Sequence, residues 1–410
     1  MSLLLRRRAL LAAGQEKEGG GENDGKYLYM VCRNGANTYK WSASVDYGVS
    51  FQANTLSTVN RAYSCSNAFD CNGNLFYQGT EYAYSGSYLP FSNVTSPSQI
   101  TARSATTFQG FQPANISRAW SWSTDGKRCI RFSLSYNSIT IASKSLQLWD
   151  NYGSTPTTPQ LSFNSFLTVP SWATRFVQFP YATGPYLKFN SDTLQVGFLS
   201  TCANAGTGLS YTCSFTRDGG QTWIDIPDIF VDNSQSLGMH GFVSSHISNN
   251  GKHIGFVYHN NSSQGNILYV SHDYGATFNS VTNPSMFDGG YVINFETSAK
   301  FKTWYISTRT TDGATASIWK SVDQGQSWTK IRTLEEPSKY YPYEYFHCND
   351  AGDKLVTVEN IGTGNTSKMY YSHDGGETWT YSGLVNYPLH GTWNFWMCRD
   401  SYNTSSQEGK

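Results

Sequence analysis

The chain has 410 residues, of which 14% are charged, and its 29 Lys and Arg are balanced by 29 Asp and Glu. This balance creates no field that would recruit nucleic acid, and no segment approaches the roughly 18 to 20 apolar residues needed to span a membrane. Aromatic residues reach 15% of the chain, an excess that is typical of strands and turns.

Residues 1–25 differ in composition from the rest and are predicted to form an anchor and linker. Three arginines, Arg6 to Arg8, interrupt the apolar run that a secretory signal would need, so we expect no cleavage. Gln15 to Gly25 has the polar, glycine-rich composition of a flexible linker. The leader resembles the Leu- and Arg-rich openings of virion structural proteins from phages of gut Bacteroidetes. That resemblance implies docking on other proteins of a virion or extracellular assembly.

One eight-residue pattern recurs along residues 26–410: Ser or Thr, any residue, Asp, any residue, Gly, two further residues and an aromatic. Asp can accept hydrogen bonds from the amides of a tight turn, Gly permits a positive φ, and the aromatic ring packs beneath the turn. The pattern therefore predicts structural turns rather than catalytic clusters. The complete copies contain Asp46, Gly48 and Phe51; Asp218, Gly220 and Trp223; Asp273, Gly275 and Phe278; Asp323, Gly325 and Trp328; and Asp374, Gly376 and Trp379.

Two incomplete copies, near Ser87 and Asp150, fill the gap after the first complete one. Together the seven units recur about every 55 residues, a period typical of rings or arrays of small sheets. The pattern resembles the Asp-box, or BNR repeat, of sialidases, sortilin-type receptors, photosystem assembly factors and some glucanases. That resemblance implies an all-β, seven-bladed β-propeller over residues 26–410. In that family the box joins the third and fourth strands of a blade, away from the functional face.

A second series of turns lies upstream of the boxes. Asn-Gly or Asp-Gly pairs at Asn72, Asp125 and Asn250, and a polar turn starting at Asn349, separate apolar stretches. Such pairs favour hairpins, and we expect these to join the first and second strands of a blade.

The two ends of the domain share an apolar-Cys-Arg pattern, at Tyr29 to Tyr39 and Phe395 to Ser405. We predict that Gly391 to Arg399 forms the inner strand of the blade whose outer strands lie within Lys26 to Gln52. This pairing closes the ring and removes exposed sheet edges.

The candidate ligand site is the channel mouth opposite the Asp-box turns, where the first strands of the blades begin. Arg61, Arg118 and Arg175 open three successive predicted first strands at equal spacing. Converging guanidinium groups suit a carboxylate or a sulfate, although each arginine could instead pair with a loop acid or stack on an aromatic ring. The ring continues through His240, Tyr291, Glu344 and Trp393.

No catalytic or metal site is predicted. The eight cysteines lack Cys-x-x-Cys spacing, so we expect no zinc and no cofactor. His240, His246 and His347 lie in different predicted blades without a clustered carboxylate, and we expect them to be hydrogen-bonded histidines rather than metal ligands.

A sialidase-like enzyme would hold the sialic acid carboxylate with an arginine triad and use a Tyr and Glu pair with an Asp acid. Tyr291, Tyr343 and Glu344 would fill the Tyr and Glu roles. However, the Phe-Arg-Ile-Pro signature is absent, the predicted blade count is seven rather than six, and no Asp is placed as the acid.

The sequence therefore favours a non-catalytic recognition or structural propeller of a virion or extracellular assembly. Its expected partner is a cell-surface glycan or receptor, or another protein. The alternatives are a glycoside hydrolase that acts on anionic glycans and a purely structural decoration or adaptor protein.

Overall fold

The computed structural model describes twenty-one stretches of the chain. These are residues 25–33, 39–56, 74–78, 86–90, 106–107, 116–122, 128–137, 140–149, 175–176, 186–190, 193–204, 209–225, 232–233, 242–259, 266–281, 287, 290–310, 315–334, 345–360, 367–385 and 394–397. Their regular elements are β-strands, and the chain is all-β. No helix in these stretches is long and apolar enough to cross a membrane.

The described strands form seven antiparallel sheets, numbered here in chain order. Sheet 1 contains β1 (Leu28–Arg33), β2 (Tyr39–Ser44), β3 (Gln52–Leu56) and β28 (Asn394–Met397). Sheet 2 contains β4 (Asn74–Gln78), β5 (Gly86–Pro90) and β6 (Thr106–Thr107). Sheet 3 contains β7 (Ile116–Trp122), β8 (Cys129–Asn137) and β9 (Thr140–Trp149).

Sheet 4 contains β10 (Arg175–Phe176), β11 (Tyr186–Phe189), β12 (Gly197–Asn204), β13 (Leu209–Thr216), β14 (Ile224–Asp225) and β15 (Asp232–Asn233). Sheet 5 contains β16 (Phe242–Ile247), β17 (Ile254–His259), β18 (Asn266–Ser271) and β19 (Asn279–Ser280). Sheet 6 contains β20 (Gly290–Thr297), β21 (Trp304–Thr310), β22 (Ala316–Ser321) and β23 (Thr329–Thr333). Sheet 7 contains β24 (Tyr345–Cys348), β25 (Leu355–Asn360), β26 (Ser367–Ser372) and β27 (Thr380–Val385).

The first strands of neighbouring sheets lie side by side. β7 packs against β11, β11 against β16, β16 against β20, β20 against β24, and β24 against β28. In sheets 5, 6 and 7 the remaining strands then follow in sequence order away from these first strands. Small antiparallel sheets that meet through their first strands are the blades of a propeller, so the prediction of an all-β propeller is confirmed.

The two ends of the domain meet in sheet 1. β28 pairs antiparallel with β1, with Leu28 opposite Met397 and Val31 opposite Asn394. The predicted strand pairing between the ends is therefore present. The number of blades and the closure of a complete ring stay predictions, because they depend on segments outside the described stretches.

Five turns built around Asp46, Asp218, Asp273, Asp323 and Asp374 connect third and fourth strands, and we call them the Asp turns. In the last one, Ser372 Oγ donates to the Asp374 carboxylate at 2.7 Å and accepts the Gly376 N–H at 2.9 Å. The same carboxylate accepts the Thr378 N–H at 2.9 Å. The other four repeat these three hydrogen bonds.

The glycine of each Asp turn also sets the contact with the preceding blade. A Cβ on Gly376 would lie 2.4 Å from Ile331 Cδ1 of sheet 6, and one on Gly48 would lie 2.9 Å from Val356 Cγ2 of sheet 7. Their φ angles are +91° and +84°, a region that residues with a Cβ rarely adopt. Both the bend of the turn and the packing of the blades therefore require glycine here.

Inner turns connect first and second strands at the same end of the blades as the Asp turns. Backbone hydrogen bonds join the two kinds of turn, for example from Tyr274 N to Lys252 O at 3.0 Å and from Gly375 N to Asp353 O at 2.8 Å. The hairpins predicted at Asn250 and Asn349 are confirmed, since they join β16 to β17 and β24 to β25.

Two inner turns had no sequence signal. At 190–196 and 298–303 the positive φ falls on Leu194, at 55°, and on Phe301, at 57°, so neither turn has the Asn-Gly or Asp-Gly pair that marks a hairpin. Their side chains are buried. We infer that packing beneath the turn offsets the strain of the backbone there.

The incomplete copy near Ser87 was wrongly predicted to be a turn. Gly86–Pro90 is β5, the middle strand of sheet 2, with Tyr88 opposite Phe76. The segment lacks the Asp that would hold the amides of a turn, and its aromatic and apolar residues favour strand pairing instead. The copy near Asp150 falls outside the described stretches.

Removal of β28 should abolish cooperative folding. A chain ending at Leu389 loses the backbone ladder to β1 and leaves β1 as an exposed edge, so we expect a broad, low-temperature transition by circular dichroism. The control is a chain ending at Arg399, which keeps β28 and should melt like the full protein. If the shorter chain also melts like the full protein, β28 does not hold the fold together.

Candidate functional site

Three polar side chains from adjacent first strands meet between sheets 5, 6 and 7. His246 Nε2 in β16 lies 2.9 Å from Glu296 Oε2 in β20, and His347 Nδ1 in β24 lies 2.8 Å from Glu296 Oε1. Glu296 is only 3% exposed. We call these three residues the histidine–glutamate bridge, because one carboxylate connects three blades.

Register explains why the three residues come together. Each is the penultimate residue of its first strand, and its successor pairs with the first residue of the second strand. Each also lies 27 residues before the aspartate of its own Asp turn. Equal offsets in equal repeats place His246, Glu296 and His347 at one height along neighbouring strands.

The bridge corrects one expectation from the sequence. His246 and His347 were expected to lie apart without a carboxylate, but Glu296 in the intervening blade holds both. Glu296 was not recognised because a lone Glu in an apolar strand carries no motif. Comparison of the offsets from the repeated aspartates would have found it.

The bridge acts as a clamp rather than as an open reactive group. Both oxygens of Glu296 are occupied, and Cys348 Sγ lies 4.0 Å from Oε2. Within the described stretches, no group of three or more His, Cys, Asp and Glu residues has an arrangement that could hold a metal ion. A buried carboxylate needs hydrogen-bond donors, and those of Glu296 are histidines from two different blades.

The penultimate position of two other first strands is also polar or aromatic. Lys188 is the penultimate residue of β11, and Trp396 is the penultimate residue of β28. Their successors pair with the first residues of β12 and β1. The level of the bridge therefore lies one residue from the inner turns, at the Asp-turn end of the blades.

The sequence predicts the ligand-binding mouth at the other end of the first strands, and three of its residues lie on described strands. Arg118 is the third residue of β7, Arg175 the first of β10 and Tyr291 the second of β20. Arg118 is opposite Ser133, the fifth residue of β8, whereas Arg175 is opposite Asn204, the eighth of β12. The two arginines therefore stand at different heights along their strands.

The rest of the predicted mouth lies outside the described stretches. Arg61, His240, Glu344 and Trp393 fall outside the described stretches, as do the side chains of Arg118, Arg175 and Tyr291. The ligand-binding mouth therefore stays a prediction.

A second pair of histidines joins the two turns of sheet 5. Nδ1 of His253, in the inner turn, lies 2.9 Å from Nδ1 of His272, in the Asp turn. His253 stacks on Phe301 with ring centroids 5.6 Å apart, and His272 stacks on Trp304 at 6.1 Å. The pair is thus pressed against sheet 6.

Burial, followed by the charges of His272 and Lys252, lowers the pKa of His253 to about 4. Burial also lowers the pKa of His272, which Asp273 partly offsets. With both rings neutral near pH 7, one Nδ1 can donate to the other.

Side chains of one blade also contact the Asp turn of the next blade. In each case the partner is the backbone carbonyl of the residue directly after the aspartate. Arg217 Nε donates to Tyr274 O at 2.9 Å, and Lys320 Nζ donates to Gly375 O at 3.0 Å. His373 Nε2 lies 3.3 Å from Tyr47 O. These contacts connect sheet 4 to 5, sheet 6 to 7 and sheet 7 to 1.

Comparison with known proteins gives partial likenesses. A family model described as Sortilin-Vps10, "Sortilin, neurotensin receptor 3", matches residues 266–382, less than a third of the chain. No curated protein matches the chain.

Three solved structures illustrate the structural likenesses. The GH74 enzyme of Niastella koreensis has 14% identity and a TM-score of 0.47 over 79% of this chain, which spans 45% of that protein. A functionally unknown protein of Desulfotomaculum acetoxidans has 10% identity and a TM-score of 0.45, with 91% of this chain and 99% of that one covered. The Cps50 (Swd1) β-propeller domain of Myceliophteria thermophila has 9% identity and a TM-score of 0.42, with 80% and 88% covered. Likenesses this distant carry no argument about function.

Glu296→Ala should destabilise the protein strongly. It leaves two buried or half-buried histidines without their acceptor, and breaking a buried polar pair costs about 3 kcal/mol. Chemical denaturation at pH 7 measures the loss. The control is Glu377→Ala, at an exposed position of the last Asp turn, which should cost less than about 0.5 kcal/mol. Equal effects would show that the bridge is not a clamp.

Acid should loosen the His253–His272 pair. The folded pKa of His253, about 4, lies below its ordinary 6.5, so the unfolded chain binds a proton first. The stabilisation is complete above pH 6.5 and is lost as the pH falls towards 4. His253→Phe removes this titration, so its unfolding free energy should fall less steeply between pH 6.5 and 4. Parallel curves for the two proteins would contradict the assignment.

Proposed function

We propose that the chain is a non-catalytic recognition propeller of a virion or extracellular assembly. It binds the anionic groups of a cell-surface glycan at the channel mouth opposite the Asp turns. Residues 1–25 dock it on other proteins of the assembly.

The observation that carries this proposal is that both carboxylate oxygens of Glu296 contact histidines. Glycoside hydrolysis needs carboxyl groups that reach the glycosidic bond, usually two on opposite sides of it. The Glu296 carboxylate is buried, and both its oxygens are occupied by histidines. It supports the blades instead of facing a substrate.

A clamped set of first strands suits recognition. The bridge connects β16, β20 and β24. A preformed site on rigid strands loses less conformational entropy when it binds a ligand. Arg118 lies in β7 and Arg175 in β10, at different heights along their strands. With Arg61 they supply guanidinium groups suited to carboxylates or sulfates.

A glycan array tests this proposal. The wild-type protein should retain carboxylated or sulfated glycans, and the triple variant Arg61→Ala, Arg118→Ala, Arg175→Ala should lose them. The matched control, Arg6→Ala, Arg7→Ala, Arg8→Ala, removes the same charge from the leader and should bind like wild type.

Three outcomes would overturn the proposal. Unchanged binding by the first triple variant would remove those arginines from the site. Release of a shortened glycan would favour the glycoside hydrolase. Absence of any glycan binding would favour a purely structural decoration or adaptor.

A further inference from the structure

A cluster of lysines lies at the Asp-turn end of sheets 5 and 6. Lys252 precedes His253 in one inner turn, and Lys300 and Lys302 flank Phe301 in the next. Because the His253 ring stacks on Phe301 at 5.6 Å, the three lysines belong to two turns in direct contact. Lys252 and Lys302 are exposed, and Lys300 is half-buried.

Within the described part of the chain, none of the three ammonium groups forms a hydrogen bond or an ion pair, in contrast to that of Lys354, which pairs with Asp353 at 3.4 Å. Positive charge also acts on the neighbours, since Lys252 helps to lower the pKa of both His253 and His272.

Among the described residues, the aspartates of the two Asp turns in these sheets form no ion pair with the three lysines, because their hydrogen bonds lie within their own turns. Asp273 accepts hydrogen bonds from Thr277 N and Oγ1, and Asp323 accepts them from Ser327 N and Oγ. These bonds help to keep the pKa of each carboxyl at about 2. The carboxylates are bound within the turns while the lysine ends remain available.

An exposed aromatic residue lies in the Asp turn that is hydrogen-bonded to the inner turn of Lys252. Tyr274 follows Asp273 and is 43% exposed, and its N–H donates to the Lys252 carbonyl at 3.0 Å. Its positive φ of 60° is a strained conformation for a residue of this size. Aromatic rings offer a flat surface for the apolar face of a sugar, and ammonium groups attract sulfate.

We propose that this surface, formed by Tyr274, Lys252, Lys300 and Lys302, binds a sulfated polysaccharide. The site lies at the opposite end of the blades from the arginine mouth and does not depend on it. Three lysines that form no ion pair among the described residues, in turns that adjoin the turn of an exposed tyrosine, fit a chain that carries sulfates on sugar rings, whereas an acidic peptide would use the charges alone.

The binding test uses the full-length protein and a heparin-derived sulfated octasaccharide. Wild-type protein should bind it with an affinity that falls as salt is raised. The triple variant Lys252→Gln, Lys300→Gln, Lys302→Gln should bind with an affinity lower by at least about tenfold. Tyr274→Ser should also weaken binding. Lys330→Gln, at an exposed position on the outer strand β23, is the control and should bind like wild type.

A second measurement follows His253 by nuclear magnetic resonance. The groups that face it are His272, Lys252, Phe301 and, next to His272, Asp273 and Trp304. A bound sulfate should raise the pKa of His253, because the added negative charge favours the protonated ring. The lysine variant should show this rise without ligand, since it lacks Lys252.

Each remaining outcome overturns the proposal. Equal binding of the desulfated octasaccharide would show that charge is not recognised. Tighter binding of poly-glutamate would assign the surface to acidic peptides. Unchanged binding by the lysine variant would place the site elsewhere. The variant Arg61→Ala, Arg118→Ala, Arg175→Ala should bind the octasaccharide like wild type, because this site does not depend on those arginines.

Discussion

The close approach of the Asp-turn glycines to the preceding blade is the contact on which the rest of the structure depends. At Gly376 and Gly48 a side chain would collide with Ile331 and Val356 of the neighbouring sheets. The same residues need a positive φ to complete the turn that their aspartate holds. One residue type thus sets both the bend of a blade and its distance from the next, so repeating it gives the five sheets with described Asp turns the same neighbour geometry.

Equal neighbour geometry is what makes the histidine–glutamate bridge possible. His246, Glu296 and His347 meet because their strands end at inner turns of the same length and keep the same register. The bridge then adds a polar connection at the first strands, while Arg217, Lys320 and His373 add others near the Asp turns. Polar contacts thus join neighbouring blades in two places, at the first strands and at the Asp turns. In both places the partners come from different sheets.

Sequence patterns predicted the local features well, because local residues determine them. The Asp turns, the hairpins at Asn250 and Asn349 and the all-β propeller follow from turn chemistry and from the repeat. The turns at Leu194 and Phe301 were missed because buried packing, rather than a Gly, holds their backbone. Glu296 was missed because its role comes from register between three blades. His373, which sits in a motif that looks catalytic, instead contacts the Tyr47 carbonyl.

The pairing of β28 with β1 has a consequence for the order of folding. The two strands of this ladder are separated by nearly the whole domain in sequence, so sheet 1 cannot be completed until β28 has left the ribosome. Contacts of such long sequence separation form slowly. During synthesis β1 waits as an unpaired edge, and a nascent chain with an open edge is prone to pair with its neighbours. Translation pauses late in the chain would therefore prolong the period in which aggregation competes with folding.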